Sequence, residues 1–371
     1  MSLHTNKYAV SFAIRSCRRK VILTAAWLPA AALFSSCGLF APEAEQPRSF
    51  GIWTSAAELA EIPRSGPAWE AVLRAANQDC SRPEVSNQND DTNVYVLAAA
   101  IVYARTGEVH YKNKVIAACE RLVANGPPDS NSLAWSRETG AYALAADLAG
   151  YRKQAFKTWL RRMAELYVGD DHHAMNETFV RRPNNWGSHA FGSLCAIYRY
   201  LDDMAGLVSV RDIWLRAVAG GNSLYRYGDD VSWHPHSNRL RFINPLGAMK
   251  AGMSLDGVVP DDMRRGGSFQ NPPLHTSYPW EFLQGQIMGA RILERAGMPI
   301  WESGDRAIYR VAYCLQIRFE NDYGGWAAAG DDEWMLPFLD EAYGTQWARQ
   351  QPRLWEHGKN AGWGYVTLAP D

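Results

Sequence analysis

The feature that most constrains the fold of this chain is a long succession of segments whose apolar residues recur every three to four positions. That spacing is typical of the buried face of an α-helix. Short turns rich in Gly, Pro and Asn separate the segments, so consecutive helices are expected to pack antiparallel. We predict helices over residues 94–104, 111–122, 133–148, 155–167, 185–201, 210–218, 280–296 and 307–319. Strand patterns are scarce, which indicates an all-α protein.

Antiparallel helix pairs of this kind assemble in three known ways. They close into an (α/α) toroid, which is an incomplete barrel of helix pairs, or they form an open superhelix or an ordinary bundle. The segments show no fixed sequence period, which argues against a regular solenoid. The pattern alone leaves the toroid, the superhelix and the bundle open.

The stretch from residue 224 to residue 267 departs from the helical pattern. It is rich in Gly, Pro and Asn and has little helical spacing. Loops of this length inside a compact domain are usually functional. We therefore predict that long loops border an active site. The substrate-binding candidates in this stretch are Tyr225, Tyr227, His234, His236, Arg239 and Arg264.

The first 37 residues have the features of a bacterial export signal. A basic region over residues 15–20 precedes an apolar run over residues 21–34. That run is shorter than the roughly 20 residues a membrane-spanning helix needs. It ends in Leu-Phe-Ser-Ser-Cys, which resembles the lipobox of bacterial lipoproteins, with an ordinary cleaved signal peptide as the alternative. We expect residues 1–37 to form a lipoprotein-type signal peptide whose Cys37 carries the lipid.

The rest of the chain divides into two parts of unequal length. Residues 38–52 are rich in Pro, Ala and Glu and have no periodicity, which is typical of a tether. Residues 53–371 contain no similar linker and suffice for a large core, so we expect one catalytic domain. The protein is then an exported periplasmic or outer-membrane lipoprotein that contacts the membrane only through its N-terminal lipid.

Charge and composition narrow the choice of partner. The chain has 38 Lys and Arg against 39 Asp and Glu, a formal net charge of −1. Bulk electrostatics therefore favour neither nucleic acid nor a polyanion, and any attraction for an acidic ligand has to be local. The 15 Trp and 17 Tyr residues suit either stacking on sugar rings or a large helical core.

The cysteines of the predicted domain do not indicate a metal site. Cys80, Cys119, Cys195 and Cys314 are widely spaced, and no pair of Cys or His has metal-ligand spacing. In an oxidising compartment they could form one or two disulfides or remain buried thiols. We expect no metal and no cofactor, and the oligomeric state stays open.

The sequence Arg182-Pro183-Asn184-Asn185-Trp186-Gly187-Ser188-His189 opens a predicted helix. If Asn184 is the N-terminal cap, Asn185 and His189 lie four residues apart on one helical face. An amide donor beside a titratable imidazole suits recognition of an acidic sugar. The alternative is a capped helix with a buried, hydrogen-bonded histidine.

Three short segments, in this order along the chain, resemble a known enzyme family. Asn184-Asn185-Trp186-Gly187-Ser188-His189 is similar to an Asn-Asn-His helix start. The segment from Asp256 to Gly266 is similar to a Gly-x-Leu-Pro-x-Glu-x-x-Arg-Gly stretch, and the segment from Leu274 to Tyr278 to a Leu-His-Tyr stretch. Together they resemble the helical-toroid alginate lyases, polysaccharide lyase family five, and relatives that include glucuronan lyases. The resemblance implies an (α/α) toroid.

The resemblance also implies roles for particular residues. It makes Asn185 the group that neutralises a substrate carboxylate, and Arg265 and Tyr278 the catalytic arginine and tyrosine. Trp186 stands where the family has a histidine, and His189, one turn later, is its predicted replacement. The interval from Arg265 to Tyr278 is longer than in the family, and both departures argue against strict alginate specificity. Further predicted substrate contacts are Asn184, Trp186 and His275.

The chemistry of β-elimination calls for these residue types. Removing the C5 proton of a uronic acid creates an enolate, which neutral donors or cations at the carboxylate stabilise. A base takes the proton and an acid protonates the leaving oxygen at C4. Tyrosine can do either, and a nearby cation such as Arg265 favours the phenolate over a phenol whose ordinary pKa is about 10. Amide and guanidinium groups make a metal unnecessary.

Two other functions remain open. A glycoside hydrolase on the same toroid would use paired carboxylates roughly 5–10 Å apart, for which Asp229-Asp230 and Asp331-Asp332-Glu333 are candidates. A non-catalytic surface lipoprotein would bind glycans through its aromatic residues. Of the three functions we predict the β-elimination reaction: a lyase for an alginate- or glucuronan-like acidic polysaccharide.

Overall fold

Helix caps set many of the boundaries of the fold. In the computed structural model, Asn184 and Asp203 each accept a hydrogen bond from a backbone N–H in the first turn of the helix that follows. Ser55 and Glu58 form a reciprocal capping box. Gly107 ends a helix in the left-handed conformation that glycine adopts without strain. Local sequence therefore determines where these helices begin and end.

The structure describes residues 51–168, 173–350, 357–360 and 362–367. The predicted signal peptide with Cys37, and the predicted tether up to residue 50, lie outside them. All described residues belong to the compact unit Pro47–Asp371. No helix among them has the length and apolar character to cross a membrane.

The helices of the described residues follow one another with short connections over most of the chain. Their bounds are α1 (Ala56–Glu61), α2 (Gly66–Asn77), α3 (Thr92–Thr106), α4 (Val109–Asn125), α5 (Ser132–Leu148), α6 (Gln154–Glu165), α7 (Met175–Arg181), α8 (Asn185–Tyr200), α9 (Met204–Val218), α10 (Pro260–Met263), α11 (Tyr278–Arg295), α12 (Ser303–Tyr313), α13 (Glu320–Tyr323) and α14 (Leu336–Tyr343). Every predicted helical segment is confirmed, although α9 starts six residues early because Asp203 caps it. The last predicted segment divides into α12 and a π-helical turn over Cys314–Phe319.

Inner and outer helices alternate along the chain. Helices α3, α5, α8 and α11 are buried on most sides and pack in succession, α3 on α5, α5 on α8 and α8 on α11. Helices α4, α6, α9 and α12 follow them in turn and bury only one face. This double layer of antiparallel helix pairs is the predicted (α/α) toroid, and the all-α fold class is confirmed.

The closest packing in the inner layer is between α8 and α11. A β-carbon on Gly285 of α11 would overlap the carbonyl oxygen of Ser188 on α8. The Ser188 hydroxyl donates to the carbonyl of Phe282, and Gln286 Nε2 donates to Ser188 Oγ at 2.9 Å. Glycine at position 285 thus allows the two backbones to approach each other and fixes their register.

Two small hairpins complete the described part. In the long connection between α9 and α11, β1 (Met249–Lys250) pairs antiparallel with β2 (Met253–Ser254). Near the C-terminus, β3 (His357–Gly358) pairs antiparallel with β4 (Gly362–Trp363). The four cysteines of the described residues are free and buried. Of the two alternatives, disulfides or buried thiols, this structure has the buried thiols.

Candidate active site

The N-terminus of α8 is held by two consecutive carboxylates of α10. The Asn184 side chain caps α8 by accepting from Trp186 N at 3.1 Å, as predicted, and its Nδ2 donates to Asp261 Oδ2 at 2.7 Å. The backbone N–H of Asn185 donates to Asp262 Oδ1 at 3.1 Å. Burial raises the pKa of Asp262 well above its ordinary value, so Asp262 holds the start of α8 by its hydrogen bond, and Asp261 supplies the negative group that stabilises a helix N-terminus.

Asn185 and His189 lie on one face of α8, as predicted, and both meet a carboxylate of α11. Asn185 Nδ2 donates to Glu281 Oε2 at 3.0 Å, and His189 Nε2 lies 3.6 Å from the same oxygen. The side chains of Asn185 and His189 are fully buried, whereas that of Glu281 is 29% exposed. We call these three residues the floor of the site.

Opposing effects act on the two titratable groups of the floor. Burial raises the pKa of Glu281, but the hydrogen bond and charge of His189, with the hydrogen bond from Asn185, outweigh it and leave this pKa below its ordinary value. Burial lowers the pKa of His189, and the Glu281 carboxylate opposes that change. His189 and Glu281 therefore change each other's pKa across 3.6 Å.

Arg265 and Tyr278 form a second cluster, which we call the rim. The Arg265 guanidinium lies over the Tyr278 ring, 4.1 Å from its centroid. Arg265 is exposed and Tyr278 is half-buried. Tyr278 is the first residue of α11 and precedes Glu281 by three positions, which places the two on the same helical face about one turn apart. One helix thus joins the rim to the floor.

Sequence reasoning missed Glu281. It is the only charged residue between positions 278 and 290, in an otherwise uncharged half of α11. A carboxylate in a buried helix requires partners, and that requirement was the available signal. Arg137 of α5 was missed as well: its side chain is 13% exposed, and its positive charge helps to lower the pKa of Glu281.

Asp331, one of the predicted hydrolase candidates, lies within electrostatic reach of Glu281. Asp331 is exposed on one side, but the protein around its carboxyl group, and next the negative charge of Glu281, raise the pKa of Asp331. Its neighbour Asp332 is buried and accepts from Gln284 Nε2 at 2.9 Å. The two carboxyl groups of Glu281 and Asp331 therefore have pKa values shifted in opposite directions.

Two predicted substrate contacts, Trp186 and His275, carry rings that lie beside other side chains. The ring of Trp186 is half-buried, with the Arg182 guanidinium 5.1 Å from its centroid. The exposed His275 ring lies 5.0 Å from that of Trp326. Of these rings only that of His275 is exposed, and an exposed ring suits contact with a sugar.

Arg264 is tied to the protein more firmly than its neighbour Arg265. Arg264 Nε donates to Asp261 Oδ1 at 2.6 Å, and Gly228 N donates to the same oxygen at 3.0 Å. Asp261 thereby links the long connection after α9 to the start of α8. Arg264 stabilises this junction, whereas Arg265 faces solvent.

Several predicted contacts of the long connection pack its interior. Tyr225 is buried and stacks on Phe242 with centroids 5.2 Å apart, and Tyr227 meets His234 edge-on at 5.2 Å. Burial lowers the pKa of His234 to about 4, and its Nδ1 accepts from Arg241 N at 3.2 Å. His236 and Arg239 are exposed. Contact of these side chains with substrate stays a prediction.

Several surface hollows lie away from the candidate site. Three of them, of about 310 to 440 Å³, are lined by other residues than those of the floor and the rim. One of these three lies at the end of α6, beside Arg161, Arg162 and Tyr167. The candidate site is therefore selected by its chemistry and not by cavity size. No group of three or more His, Cys, Asp or Glu in the described part of the chain has the arrangement of a metal site.

Comparison with known proteins places the fold. A solved structure of a variant of alginate lyase A1-III, complexed with a tetrasaccharide, aligns over 86% of this chain and 95% of its own, with a TM-score of 0.53 at 11% identity. Alginate lyase A1-III from Sphingomonas species A1 aligns over 86% and 98% with a TM-score of 0.46 at 12% identity. The chain has the helical-toroid fold of alginate lyase A1-III. At this identity the likeness concerns the fold alone.

The sequence comparisons are negative. No protein-family model matches the chain, and no curated protein sequence matches it.

Proposed function

We propose that this protein is a polysaccharide lyase that cleaves a glycan containing uronic acid by β-elimination. The observation that carries the proposal is the contact of the Arg265 guanidinium with the Tyr278 ring, whose centroid is 4.1 Å away. Tyr278 lies one helical turn from Glu281 of the floor. The fold supports it, because the tetrasaccharide-bound structure with this fold is an alginate lyase. The substrate we propose is alginate- or glucuronan-like.

In the proposed reaction Tyr278 acts as the phenolate: it takes the C5 proton of the sugar and becomes the neutral phenol. The electrons of the broken C–H bond form an enolate, and collapse of the enolate makes the C4=C5 double bond and expels the oxygen at C4, which receives a proton. The Arg265 guanidinium supplies positive charge beside the ring that carries the negative charge of the phenolate before it takes the C5 proton and after it returns the proton. Tyr278 returns the proton to the leaving oxygen, alone or with His189.

The floor refines the predicted role of Asn185 and His189. Both direct their nitrogens at Glu281 Oε2, the kind of group that a sugar carboxylate would present to them. A substrate carboxylate reaches them if Glu281 turns aside, whereas exposed Arg265 meets it without rearrangement. We therefore assign the first contact with the carboxylate to Arg265, and its neutralisation in the transition state to Asn185 and His189.

The decisive experiment offers purified protein a panel of alginate, glucuronan, pectate and glycosaminoglycans. A lyase releases products whose C4=C5 double bond, conjugated to the carboxylate, absorbs in the ultraviolet. Tyr278→Phe should abolish this absorbance without loss of folding. New reducing ends without ultraviolet absorbance, or full activity of Tyr278→Phe, would overturn the proposal.

A glycoside hydrolase is the second candidate, because the pKa values of Glu281 and Asp331 are shifted in opposite directions. Such a pair suits a general acid, Asp331, and an ionised partner, Glu281. Hydrolysis would respond to Asp331→Asn and tolerate Tyr278→Phe. Elimination would show the reverse pattern, so the two variants separate the candidates.

We also propose that the protein is exported and held at a bacterial membrane by a lipid on Cys37. The support is the basic region, the short apolar run and the Ser-Ser-Cys37 end of that run. Cys37→Ser should move the protein from the membrane fraction to the soluble fraction of cells. Unchanged membrane association of that variant would rule the lipid out.

A further inference from the structure

The connection that follows α2 runs along α4 and is held to it by hydrogen bonds near both of its ends. The Gln78 carbonyl accepts from Lys114 Nζ at 2.7 Å, and the Pro83 carbonyl accepts from Asn125 Nδ2 at 3.3 Å. Lys114 lies in the second turn of α4, and Asn125 is the last residue of that helix. Residues 78–83 therefore follow α4 through most of its length.

The spacing of these two contacts leaves the connection little slack. A helix rises about 1.5 Å per residue, so the two α4 residues are about 16 Å apart along the helix axis. A chain advances at most about 3.3–3.6 Å per residue, so the segment from residue 78 to residue 83 reaches about the same length only when it is nearly straight. Cys80 is two residues from the start of this segment, which places it beside the turn of α4 that contains Cys119.

Cys80 and Cys119 are both buried where the connection meets α4. Cys80 is 2% exposed and Cys119 is 0% exposed, although Asp79 and Ser81 on either side of Cys80 are exposed. Burial raises the pKa of the Cys119 thiol, and a negative charge on Cys80 raises that pKa further, so the two sulfur atoms lie within electrostatic reach of each other. A reagent therefore approaches this pair from the Cys80 side.

We propose that Cys80 and Cys119 become joined in a disulfide once the protein meets an oxidant, whereas Cys195 and Cys314 stay thiols. In this structure all four are thiols. Cys195 lies on α8 and Cys314 in the π-helical turn, and among the described residues no second thiol acts on the pKa of either. The fold thus brings one pair together and keeps the other two cysteines apart.

The oxidation consumes a disulfide compound, such as an oxidised thiol oxidoreductase or oxidised glutathione, of the kind present where exported proteins reside. The Cys80 thiolate attacks one sulfur of that compound, forms a mixed disulfide and releases the first thiolate. The Cys119 thiolate then attacks Cys80 Sγ, which closes the protein disulfide and releases the second. Each cysteine gives up one proton, and the oxidant is reduced to two thiols. The pairing depends on the proposed export only for its oxidant and is independent of the proposed lyase function.

The disulfide fastens the connection between α2 and α3 to α4 between its two hydrogen-bonded ends. It closes a loop of about 40 residues, and a cross-link of this kind stabilises a protein chiefly by restricting the unfolded chain. The same connection continues to Gln88, whose carbonyl accepts from Arg137 Nη2 at 2.7 Å. The bond therefore stabilises the segment that holds Arg137 beside the floor.

Peptide mapping of the wild type tests the pairing. Folded, reduced protein is incubated with oxidised glutathione, then unfolded, treated with iodoacetamide to block its free thiols, and digested. Mass spectrometry should find the peptides of Cys80 and Cys119 joined with the loss of two hydrogen atoms, and those of Cys195 and Cys314 alkylated. Cys195→Ala is the matched control and should give the same link. Cys80 that is alkylated, bound only to glutathione or joined to another cysteine would overturn the proposal.

Thermal unfolding measures what the bond contributes. The oxidised wild type should unfold about 5 °C above the reduced wild type, the order of shift that one disulfide gives a domain of this size. Cys119→Ala should unfold at the same temperature with and without reductant, and Cys80→Ala, nearer the surface, is the second variant that should do so. Cys195→Ala should keep the difference. Equal melting temperatures of the linked and the reduced wild type would overturn the stabilising role of the bond.

Discussion

The floor and the rim of the candidate site use the same helix in opposite ways. At the first residue of α11, Tyr278 is half-buried and its partner Arg265 is exposed. One turn later, Glu281 faces the fully buried Asn185 and His189. Polar groups at the rim can be satisfied by water, whereas those of the floor depend on each other. Substitutions at the rim should therefore change activity alone, and those of the floor should change stability as well.

The largest expected effect is at the rim. Tyr278→Phe removes the phenolic oxygen that the proposal makes the base, and general acid–base groups typically contribute about 10² to 10⁴ in rate. We expect kcat to fall by about 10³ with an unchanged melting temperature, measured by ultraviolet assay and calorimetry. A loss of stability as large as the loss of activity would place Tyr278 with the floor.

The packing that brings the floor together comes next. Gly285→Ala places a β-carbon against the Ser188 carbonyl at the crossing of α8 and α11. Overpacking of this kind typically costs about 1–3 kcal/mol, and we expect a value near the upper end, together with lost activity, from denaturant unfolding. Gly51→Ala is the control, since nothing lies within 4 Å of a β-carbon there. A stable, active Gly285→Ala would show that the register of the two helices is not critical.

Glu138 of α5 sharpens the comparison, because it is a buried carboxylate without the partners that Glu281 has. Burial raises its pKa from 4.5 to about 9, although Arg137 opposes the change from 3.5 Å. Between these values the folded state holds a proton that the unfolded state has lost, so this group makes the protein less stable as pH rises.

Glu138→Gln should remove that penalty. We expect stabilisation of about 1–3 kcal/mol at pH 8 and little at pH 5, a slope of at most about 1.4 kcal/mol per pH unit. Thermal unfolding from pH 5 to 9 measures it. Glu120→Gln, at an exposed ion pair with Lys153, is the control. A pH-independent effect at position 138 would contradict the buried, protonated carboxyl.

The smallest expected effect separates two adjacent arginines. Lysine keeps the charge but loses the planar contact with the ring, so Arg265→Lys should lower kcat/KM about tenfold without loss of stability, a difference of about 1.4 kcal/mol. Arg264→Lys breaks the hydrogen bond from Nε to Asp261 and should lower the melting temperature more than kcat. If Arg265→Lys lowered stability and Arg264→Lys lowered mainly kcat/KM, Arg264 and not Arg265 would be the arginine that acts on the substrate.

The sequence by itself determined the local structure and part of the site. Apolar spacing predicted the helices of the inner and outer layers, and Asn184 predicted the start of α8, because caps and helical faces depend on residues close in the chain. The same reasoning placed Asn185 and His189 on one face. It left open whether His189 was buried, since burial depends on what packs against the helix.

Tertiary structure alone decided the partners. Glu281 meets Asn185 across 96 positions of sequence, and Asn360 meets His189 across 171. No local pattern encodes such pairs, because they exist only once Gly285 lets α8 and α11 approach closely and the C-terminal hairpin docks on them. The floor is a product of helix packing, whereas Tyr278 and Arg265 could be named from short motifs that lie near each other in the chain.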